Sequence, residues 1–399
     1  MRFLFYIAMN ITFILSRFLN GGIDTVVLRY IEGLIAQGHH CTLCIAYGYG
    51  DMEMFTNDIP HEAEVVYLVE NGPLTKLRRK KMIKHLSLKE KLWDELFLNH
   101  LRRRRAAKAI KPIMAKSDVV IDFDSCNHNL LYPYFGKKKT IAFFHFSPFH
   151  YHWGIKKRMD RTARHLADYD RVVCICQQMV EEMQLGYPKL KDKISCIYNP
   201  INTEEVLRKA AIEPDESDKL PSEYILSVSR LEEIQKDTTT LIKGYTLACC
   251  ENDNIADLVI IGDGIGLEIL ERLSESTGFG EKIHFLGFKK NPMPYIKKAK
   301  ALVLSTHFEG SPVIIIEAQA IGTPCISTDC SCGPRETLIN GEAGLLVKES
   351  DIISMKEALI RIDSDASFRE CIKTKAKEAI SRYDIKSRTS KLEALINSI

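Results

Sequence analysis

The chain has 399 residues, enough for two domains of ordinary size, each with its own hydrophobic core. Its hydrophobic content of 45% and charged content of 27% are typical of a globular protein. Its 12 cysteines show no repeated framework, neither Cys174/Cys176 nor Cys330/Cys332 has CxxC spacing, and nothing pairs these cysteines with histidines at zinc-site spacing. This disfavours a disulfide scaffold or zinc module and predicts structural thiols in a reducing cytosol.

The first stretch is apolar over residues 3–15 and resembles the core of a signal peptide. Two polar residues interrupt it, Arg17 follows it and no small-residue cleavage site is evident, so a buried strand at about residues 3–8 is predicted instead. Neither this run nor any other is long and apolar enough to cross a bilayer. Gly21 and Gly22 precede a predicted helix over residues 24–37, where a glycine pair either brings backbone amides close to a phosphate or forms a plain tight turn.

Positive charge is concentrated in one segment. Residues 1–200 carry a net charge of +10 and the remainder −7, while residues 71–116 alone hold 15 basic and 3 acidic residues. Leucines recur there at near-helical spacing, so the segment is either a solvated helical face or a basic amphipathic surface for a phosphate-rich partner, an anionic membrane or a lipid-linked diphosphate. Nucleic acid is disfavoured because no nucleic-acid module accompanies the patch. The predicted membrane or acceptor surface comprises Arg102, Arg103, Arg104 and Arg105.

Short apolar strands alternate with helical segments in both halves, which predicts an α/β fold with parallel sheets and helices on both faces. A polar stretch with three prolines, around residues 200–221, is the predicted domain boundary. In Rossmann-like halves the ligand cleft lies at the carboxyl ends of the strands. The predicted strands lie near residues 2–8, 40–46, 64–69, 118–122, 139–144, 171–175, 224–229, 257–261, 282–286, 301–305, 324–328 and 344–347.

Cations follow the first predicted strand of the second half. Arg230 directly follows the run YILSVS, and Lys236 stands before Asp237, the predicted cap of the next helix. Arginine offers a planar fork to phosphate oxygens and lysine offers a point charge. The turn GDGIG follows the next strand, but Leu267 occupies the third glycine position of a dinucleotide-binding fingerprint, which disfavours NAD binding.

Two glutamates eight residues apart are the most informative feature of the chain. Glu309 lies in a loop after a predicted strand, and Glu317 lies inside the helix that follows. Ser311 is the predicted N-cap of that helix, with Pro312 in its first turn and Gly322 at its end. A helix N-terminus favours anions, whereas carboxylates beside it favour a ligand with hydroxyl groups. A sugar nucleotide satisfies both requirements.

The elements SRL…KD and EG…E resemble, in order and separation, those of the family-4 retaining glycosyltransferases, which have the two-domain GT-B fold. The resemblance covers the second half of the chain well and the first half loosely. The segments GFKKNPMPYI and STDCSCGPRETL are most similar to the subgroup that builds bacterial surface glycans from UDP-hexose or UDP-N-acetylhexosamine. The resemblance implies two Rossmann-like domains with parallel sheets facing each other across a cleft. These are an acceptor-binding domain at residues 1–200, a nucleotide-sugar-binding domain at 201–383, and a helix at 384–399 that returns to the first domain.

The resemblance also implies roles for the candidate residues. Arg230 and Lys236 neutralise the leaving diphosphate, and Glu317 holds the ribose hydroxyls. Glu309 accepts hydrogen bonds from the donor sugar near its reacting face. His145 matches the family's cleft histidine, although a lone histidine is also often structural and His150 and His152 are nearby alternatives. The predicted catalytic residues are Glu309, His145, Arg230 and Lys236, and the donor-binding residues are Gly21, Gly22, Arg230, Lys236, Gly262, Gly264, Glu309, Gly310, Ser311, Pro312, Val313 and Glu317.

The sequence therefore predicts a retaining glycosyltransferase that moves a hexose or N-acetylhexosamine from a UDP-linked sugar to a lipid-linked glycan in polysaccharide or lipopolysaccharide biosynthesis. Ser311 stands where relatives often have a larger residue, so the donor sugar stays open. No cofactor or metal is expected, because Asp122 and Asp124, a D-x-D sequence of the kind that holds metal in some other glycosyltransferases, lie away from the expected diphosphate site. The expected location is the cytoplasm, peripheral on the inner face of the plasma membrane.

Two other classes stay open. A non-catalytic homologue could serve as a sugar-nucleotide-binding scaffold subunit, although intact charges at the four key positions, Arg230, Lys236, Glu309 and Glu317, argue against it. A nicotinamide oxidoreductase is disfavoured by the failed glycine spacing. Whether Glu309 acts as a nucleophile or as an electrostatic stabiliser is open at this level.

Overall fold

The structure is a computed structural model that describes residues 8–151 and 155–399, which form two β-sheets flanked by helices. The strands are β1 (Asn10–Leu15), β2 (His40–Tyr47), β3 (Glu64–Val69), β4 (Val119–Asp122), β5 (Lys139–Phe144), β6 (Arg171–Cys174), β7 (Ile194–Cys196), β8 (Tyr224–Val228), β9 (Asp257–Ile261), β10 (Ile283–Phe285), β11 (Ala301–Leu304), β12 (Cys325–Thr328) and β13 (Leu345–Val347). The helices are α1 (Gly22–Ala36), α2 (Lys76–Ile83), α3 (Leu88–Trp93), α4 (Asn99–Lys116), α5 (His128–Leu131), α6 (Pro148–Tyr151), α7 (Lys156–Asp168), α8 (Gln177–Gly186), α9 (Thr203–Ala210), α10 (Thr238–Glu251), α11 (Leu267–Ser276), α12 (Met293–Lys298), α13 (Val313–Ile321), α14 (Pro334–Thr337), α15 (Ile352–Ser364), α16 (Ala366–Ala379) and α17 (Ile385–Asn397).

The two sheets repeat one strand order. The first runs β3-β2-β1-β4-β5-β6-β7 and the second β10-β9-β8-β11-β12-β13, and every pairing between these strands is parallel. The order reverses between β1 and β4 in the first sheet and between β8 and β11 in the second. A crevice opens beyond the carboxyl ends of the strands at such a reversal. The loops after these four strands are therefore placed to form a site, and the predicted α/β architecture with two parallel sheets is confirmed.

Two strands differ from the predicted set. The strand expected at residues 3–8 lies outside the described residues except for Ala8. The first described strand is β1, which contains Asn10 and Thr12, the two polar residues that interrupt the apolar run at residues 3–15. Thr12 fits this buried strand because its hydroxyl group shares a hydrogen bond of 2.7 Å with the Ser117 hydroxyl. The short strand β7 is not predicted, because its sequence ISC has a polar residue at its centre and follows the charged run KDK, so it shows no continuous apolar run.

The last helix packs on α1 and enters the hydrophobic core of the first sheet. Leu392 and Ile396 of α17 are fully buried in the first hydrophobic core, and the Lys139 ammonium donates to the carbonyl oxygen of Ile396 at 2.9 Å. Gly33 on α1 allows the close approach, since a β-carbon there would lie 2.5 Å from the Thr389 side chain. The end of the chain thus stabilises the fold of its beginning. We call the parts built on the first and second sheets the first and second domains.

The chain crosses between the two domains at adjacent places. The Ile201 amide donates to the Tyr383 carbonyl at 2.7 Å, and the Ile385 amide donates to the Ile201 carbonyl at 3.2 Å. The polar stretch at residues 200–221 includes α9, whose buried face packs on the second sheet. No helix among the described residues combines the length and apolar character needed to span a bilayer. The boundaries at 1–200, 201–383 and 384–399 stay a prediction.

Candidate active site

A cavity of about 2140 Å³ opens between the two sheets, lined by residues from both domains. It is bordered by the loops that follow β1, β4, β8 and β11, where the strand orders reverse. The fold therefore brings together residues as far apart in the sequence as Leu15 and Glu317. Of the predicted residues, its lining includes Gly21, Gly22, Arg103, His145, Arg230, Lys236, Gly262, Gly264, Glu309, Gly310, Ser311, Pro312, Val313 and Glu317, whose roles stay predictions.

Lys236 and Glu309 form an ion pair on the wall of the second domain. Both side chains are about nine-tenths buried, and the Thr306 hydroxyl also donates to the Glu309 carboxylate at 3.0 Å. Backbone hydrogen bonds between residues 235–237 and 305–307 hold the two loops side by side. A positive and a negative group are therefore preorganised at one point, at the ends of the neighbouring strands β8 and β11.

Gln235 links this pair to Arg230. The Arg230 guanidinium is half exposed and donates to the Gln235 side-chain oxygen at 2.9 Å, while the Gln235 side-chain nitrogen donates to the Phe308 carbonyl at 3.2 Å. Gln235 is not among the predicted site residues, because a lone glutamine in a loop belongs to no motif. Its place directly before Lys236 is the one signal that points to it.

The glycine turn after β9 supports the backbone around Arg230. Gly262 has a φ of +153°, and a β-carbon there would lie 1.8 Å from the Ser229 carbonyl oxygen. A β-carbon at Gly264 would lie 2.5 Å from the Leu231 carbonyl oxygen. Glycine is required at both positions by this close approach. The turn thus positions Arg230, and its predicted contact with the donor stays a prediction.

The helix that contains Glu317 begins one residue later than predicted. Pro312, not Ser311, is the N-cap of α13, with an extended backbone (ψ 95°) and no side-chain cap. The extended conformation of Pro312 places it outside the helix, so Val313 is the first helical residue. Gly322 ends the helix in the left-handed conformation with φ +90°, as predicted.

The N-termini of α1 and α13 lie next to each other on the wall of the cavity. A β-carbon at Gly22 would lie 3.8 Å from Val313 Cγ2, which is ordinary van der Waals contact. The Gly21 amide is already used, since it donates to the Asp24 carboxylate at 2.8 Å, and burial raises the pKa of Asp24 to about 6. The helix dipoles nevertheless direct two partial positive charges into the same space. This arrangement favours an anionic ligand.

The two domains touch at Gly310. A β-carbon there would lie 1.9 Å from the backbone oxygen of His145 in the first domain. Gly333 packs on the other side, where a β-carbon would lie 2.6 Å from the Gly310 oxygen. Any side chain at position 310 would have to push the domains apart.

The His145 ring is buried and neutral. Its Nε2 lies 2.6 Å from the Phe123 carbonyl oxygen, and because a carbonyl only accepts, Nε2 carries the proton and Nδ1 is an acceptor. Burial lowers the pKa of His145 to about 4, which the Phe123 hydrogen bond only partly offsets. His150 does not line the cavity and bonds to Ser147 and Ser331, while His152 lies outside the described residues.

Glu317 is paired with Arg29, a residue absent from the predicted site. Their side chains form an ion pair between α13 and α1, and each is about nine-tenths buried. Arg29 also approaches the Pro200 carbonyl at 3.5 Å. The pair therefore ties the domains together beside the cavity. It could not be found from the sequence, since 288 positions separate the partners.

The D-x-D carboxylates are satisfied by protein donors. Asp122 accepts from the Tyr169 hydroxyl at 2.7 Å, and Asp124 accepts from the Ser16 amide at 2.7 Å and the Asn127 side chain at 2.8 Å. Burial raises the pKa of both carboxyl groups. Within residues 8–151 and 155–399, no three His, Cys, Asp or Glu side chains are grouped so that they could hold a metal ion. Independence from metal stays a prediction.

The predicted surface of four arginines needs a correction at Arg102. Its side chain is 1% exposed and bonds to the Asp94 carboxylate at 2.7 and 3.0 Å and to the Leu74 carbonyl at 3.0 Å. It is a structural residue that joins α4 to the preceding segment and cannot contact a membrane. Arg103, Arg104 and Arg105 are exposed.

Two family models together cover most of the chain. Residues 20–205 match the model described as Glycosyltransferase Family 4, and residues 209–379 match the one described as Glycosyl transferases group 1. The junction between the two matches falls beside the crossing at Ile201.

Individual relatives agree with these matches. The chain is 30% identical to a Salmonella typhimurium lipopolysaccharide 1,6-galactosyltransferase over 74% of this chain and 82% of the relative. It is 31% identical to a Campylobacter jejuni N-acetylgalactosamine-N,N'-diacetylbacillosaminyl-diphospho-undecaprenol 4-alpha-N-acetylgalactosaminyltransferase over 51% of this chain and 54% of the relative, about half of that protein's length. The crystal structure of Anabaena HepE with UDP and glucose superposes with a TM-score of 0.75 at 14% identity, covering 98% of this chain and all of the other, which shows a shared fold.

The first prediction concerns the ion pair of Arg29 and Glu317. Arg29→Met should lower the free energy of unfolding by about 3 kcal/mol, because it leaves a buried carboxylate without its partner. The double variant Arg29→Met/Glu317→Leu should recover part of this loss, since no buried charge is left unpaired. Urea and thermal unfolding measure both effects.

Arg272→Met is the matched control, since Arg272 pairs with Glu268 on the surface with both side chains largely exposed. It should change stability by less than about 1 kcal/mol. Equal unfolding midpoints for Arg29→Met and Arg272→Met would contradict the assigned importance of the pair.

Proposed function

The chain belongs to the family-4 glycosyltransferases and has the GT-B fold, and from this premise we propose that it is a retaining hexosyl- or N-acetylhexosaminyltransferase. Its donor in this proposal is a UDP-linked sugar and its acceptor a lipid-linked glycan of a bacterial polysaccharide or lipopolysaccharide. The acceptor attacks on the face from which the diphosphate leaves, so the configuration at the sugar carbon is retained.

One observation carries the donor proposal. Lys236 and the N-termini of α1 and α13 converge on the same cavity, with Arg230 beside them. Each is a source of positive potential, and together they suit a group with more than one negative charge. A diphosphate that gains charge as its bond to the sugar breaks is such a group.

The carboxylates of Glu309 and Glu317 can accept hydrogen bonds from the hydroxyl groups of the donor sugar and the ribose. Glu309 holds Lys236 through one oxygen, and a carboxylate has further lone pairs with which to accept hydroxyl groups of the donor sugar. Glu317 likewise has capacity beside Arg29 for ribose hydroxyls. The unprotonated Nδ1 of His145 is an acceptor for a sugar hydroxyl. In this proposal Glu309, Lys236 and Arg230 act on the reacting centre, and Arg29 positions Glu317.

Relatives support the substrate class. The Salmonella relative is named as a galactosyltransferase of lipopolysaccharide, and the Campylobacter relative as an N-acetylgalactosaminyltransferase acting on a diphospho-undecaprenol-linked sugar. The Anabaena structure holds UDP and glucose. These names favour a UDP-hexose or UDP-N-acetylhexosamine donor and a surface-glycan acceptor for the present chain.

A peripheral membrane location fits this acceptor. An apolar face runs along α3, the π-helical segment Asp94–Leu98 and the start of α4, with Arg103 and Arg104 exposed beside it. Such a surface can lie on an anionic leaflet, here the inner face of the plasma membrane, to which each basic residue adds about 1 kcal/mol of attraction. The apolar face comprises the exposed residues Leu88, Leu92, Trp93, Leu96, Phe97 and Leu101.

The second prediction tests the donor. UDP at about 100 times its dissociation constant should add roughly 2.7 kcal/mol to stability, while NAD should add none. A panel of UDP-sugars, assayed by UDP release, should then identify one that is turned over or slowly hydrolysed, and EDTA should leave the rate unchanged. Thermal shift measures binding and UDP release measures turnover.

Binding without turnover or hydrolysis of any donor would favour a scaffold subunit. Loss of activity in EDTA would reassign Asp122 and Asp124 as metal ligands.

The third prediction tests the cation–carboxylate pair. Lys236→Ala and Arg230→Ala should each lower kcat by about 10²-fold or more, because each removes electrostatic stabilisation of the leaving diphosphate. Glu309→Gln should impair turnover more than folding. Lys243→Ala and Glu342→Gln are matched controls on exposed positions of the same domain and should retain kcat. Wild-type kcat in Glu309→Gln on the true acceptor would contradict the proposed role.

The fourth prediction tests the membrane surface. The protein should sediment with phosphatidylglycerol vesicles at low salt and be released by high salt without detergent, because the attraction is electrostatic and screened. Trp93→Ser/Phe97→Ser should weaken sedimentation, whereas Leu185→Ser/Ile353→Ser, which changes exposed apolar residues elsewhere, should not. Failure of the wild type to sediment at low salt would make a soluble acceptor the better proposal.

A further inference from the structure

Four consecutive cations of the basic helix α2, at residues 78–81, are of two kinds. Arg79 pairs with Asp51, and Lys80 pairs with Glu90, and neither cation lines the cavity. Arg78 and Lys81, on the same helix, line the cavity and form no ion pair within the described chain. Of these four cations, the two outside the cavity lining are paired and the two that line the cavity are not, while Lys76 at the start of the helix is exposed and lies outside the lining.

Two further cations join them from other elements. Arg17, in the loop after β1, lines the cavity with its guanidinium 3.3 Å from the Met82 sulfur, one residue beyond Lys81. Arg103 on α4 lines the cavity as well. Neither has a carboxylate within ion-pair distance among the described residues. Three separate segments therefore supply positive charge to one side of the cavity.

Arg78 is held in place without being neutralised. Its guanidinium lies 4.0 Å from the centre of the Tyr47 ring, and its Nε donates to the Tyr49 hydroxyl at 3.4 Å. A cation stacked on an aromatic ring keeps its charge and most of its donors. The aromatic ring orders the Arg78 side chain before any ligand binds, and this lowers the entropic cost of binding.

The carboxylates on this side of the cavity have other partners. Asp94 is bound by Arg102, Asp58 by Lys290 at 2.9 Å, and Asp124 by hydroxyl and amide donors. Burial raises the pKa of Asp24 and Asp124, and the nearby Arg17 charge partly offsets that rise, so Arg17 is partly balanced. Arg78, Lys81 and Arg103 form no ion pair within the described chain. Like charges that face one space raise its positive potential, which an anion would relieve. Several cations suit a ligand with more than one negative charge.

The apolar face of α3 and α4 adjoins this group. Asp94 and Asn99 line the cavity, while Leu96 and Phe97 between them are exposed on the apolar face. A ligand that places phosphates on the cations can therefore extend an apolar tail onto this surface. This site belongs to the first domain, whereas Arg230 and Lys236 belong to the second.

We propose that Arg17, Arg78, Lys81 and Arg103 form a second anion site, in the first domain, which binds the diphosphate group of the acceptor. The inference rests on the proposed function, since it takes the acceptor to be a lipid-linked glycan. The site orients the acceptor so that its sugar reaches the donor across the cavity. It does not take part in bond breaking.

The test compares two double variants of one helix. Arg78→Gln/Lys81→Gln removes the two inward cations, and Arg79→Gln/Lys80→Gln removes an arginine and a lysine that face away. With the donor site saturated by UDP, inorganic pyrophosphate and geranyl diphosphate are titrated by calorimetry. The first variant should weaken the binding of both probes by at least about tenfold, and the second should bind like wild type.

Three outcomes would overturn the proposal. The first is that neither probe binds to UDP-saturated wild type, and the second is that both variants bind the probes equally well. The third is that the first variant alone loses binding to phosphatidylglycerol vesicles while its probe binding is intact, which would assign the cations to lipid headgroups. UDP binding is measured separately in the same titrations. If UDP itself does not bind, the proposed donor fails, while the comparison of the two variants with pyrophosphate alone still decides this site.

Discussion

The carbonyl oxygen of His145 lies against the backbone of Gly310, and this contact sets the distance between the two domains. Because a β-carbon at position 310 would lie 1.9 Å from that oxygen, the approach is possible only with glycine. The ion pair of Arg29 and Glu317 adds a second tie nearby. Together these contacts hold the N-termini of α1 and α13 beside one cavity, which residues of both domains line.

The repeated topology explains why the site forms where it does. Each sheet reverses its strand order once, and a parallel sheet directs all its carboxyl-terminal loops to one edge. The loops after β1 and β4 therefore oppose those after β8 and β11. Loops can carry charged residues there because the helices and sheets beneath supply the hydrophobic core.

The cations that line the cavity are paired differently in the two domains. In the second domain, Lys236 is paired with Glu309, so both groups are ordered and a ligand must exchange contacts with the pair rather than bind a free cation. In the first domain, Arg78 and Lys81 face the cavity without a carboxylate partner in the described chain. This asymmetry agrees with the proposed sugar-nucleotide donor, which has both hydroxyl and phosphate groups, and with the proposed recognition of the acceptor through phosphate.

The sequence by itself determined the α/β class, eleven of the strands and the linear order of Arg230, Lys236, Glu309 and Gly322, because alternation, caps and glycine turns are local properties of a few residues. Only the tertiary structure decided which charges meet. Arg102 lies within a basic run yet is buried on Asp94, and Arg29 lies on an ordinary helix yet is the partner of Glu317. Such pairings arise from the packing of distant segments, and no spacing along the chain encodes the distance between two side chains that only the fold brings together.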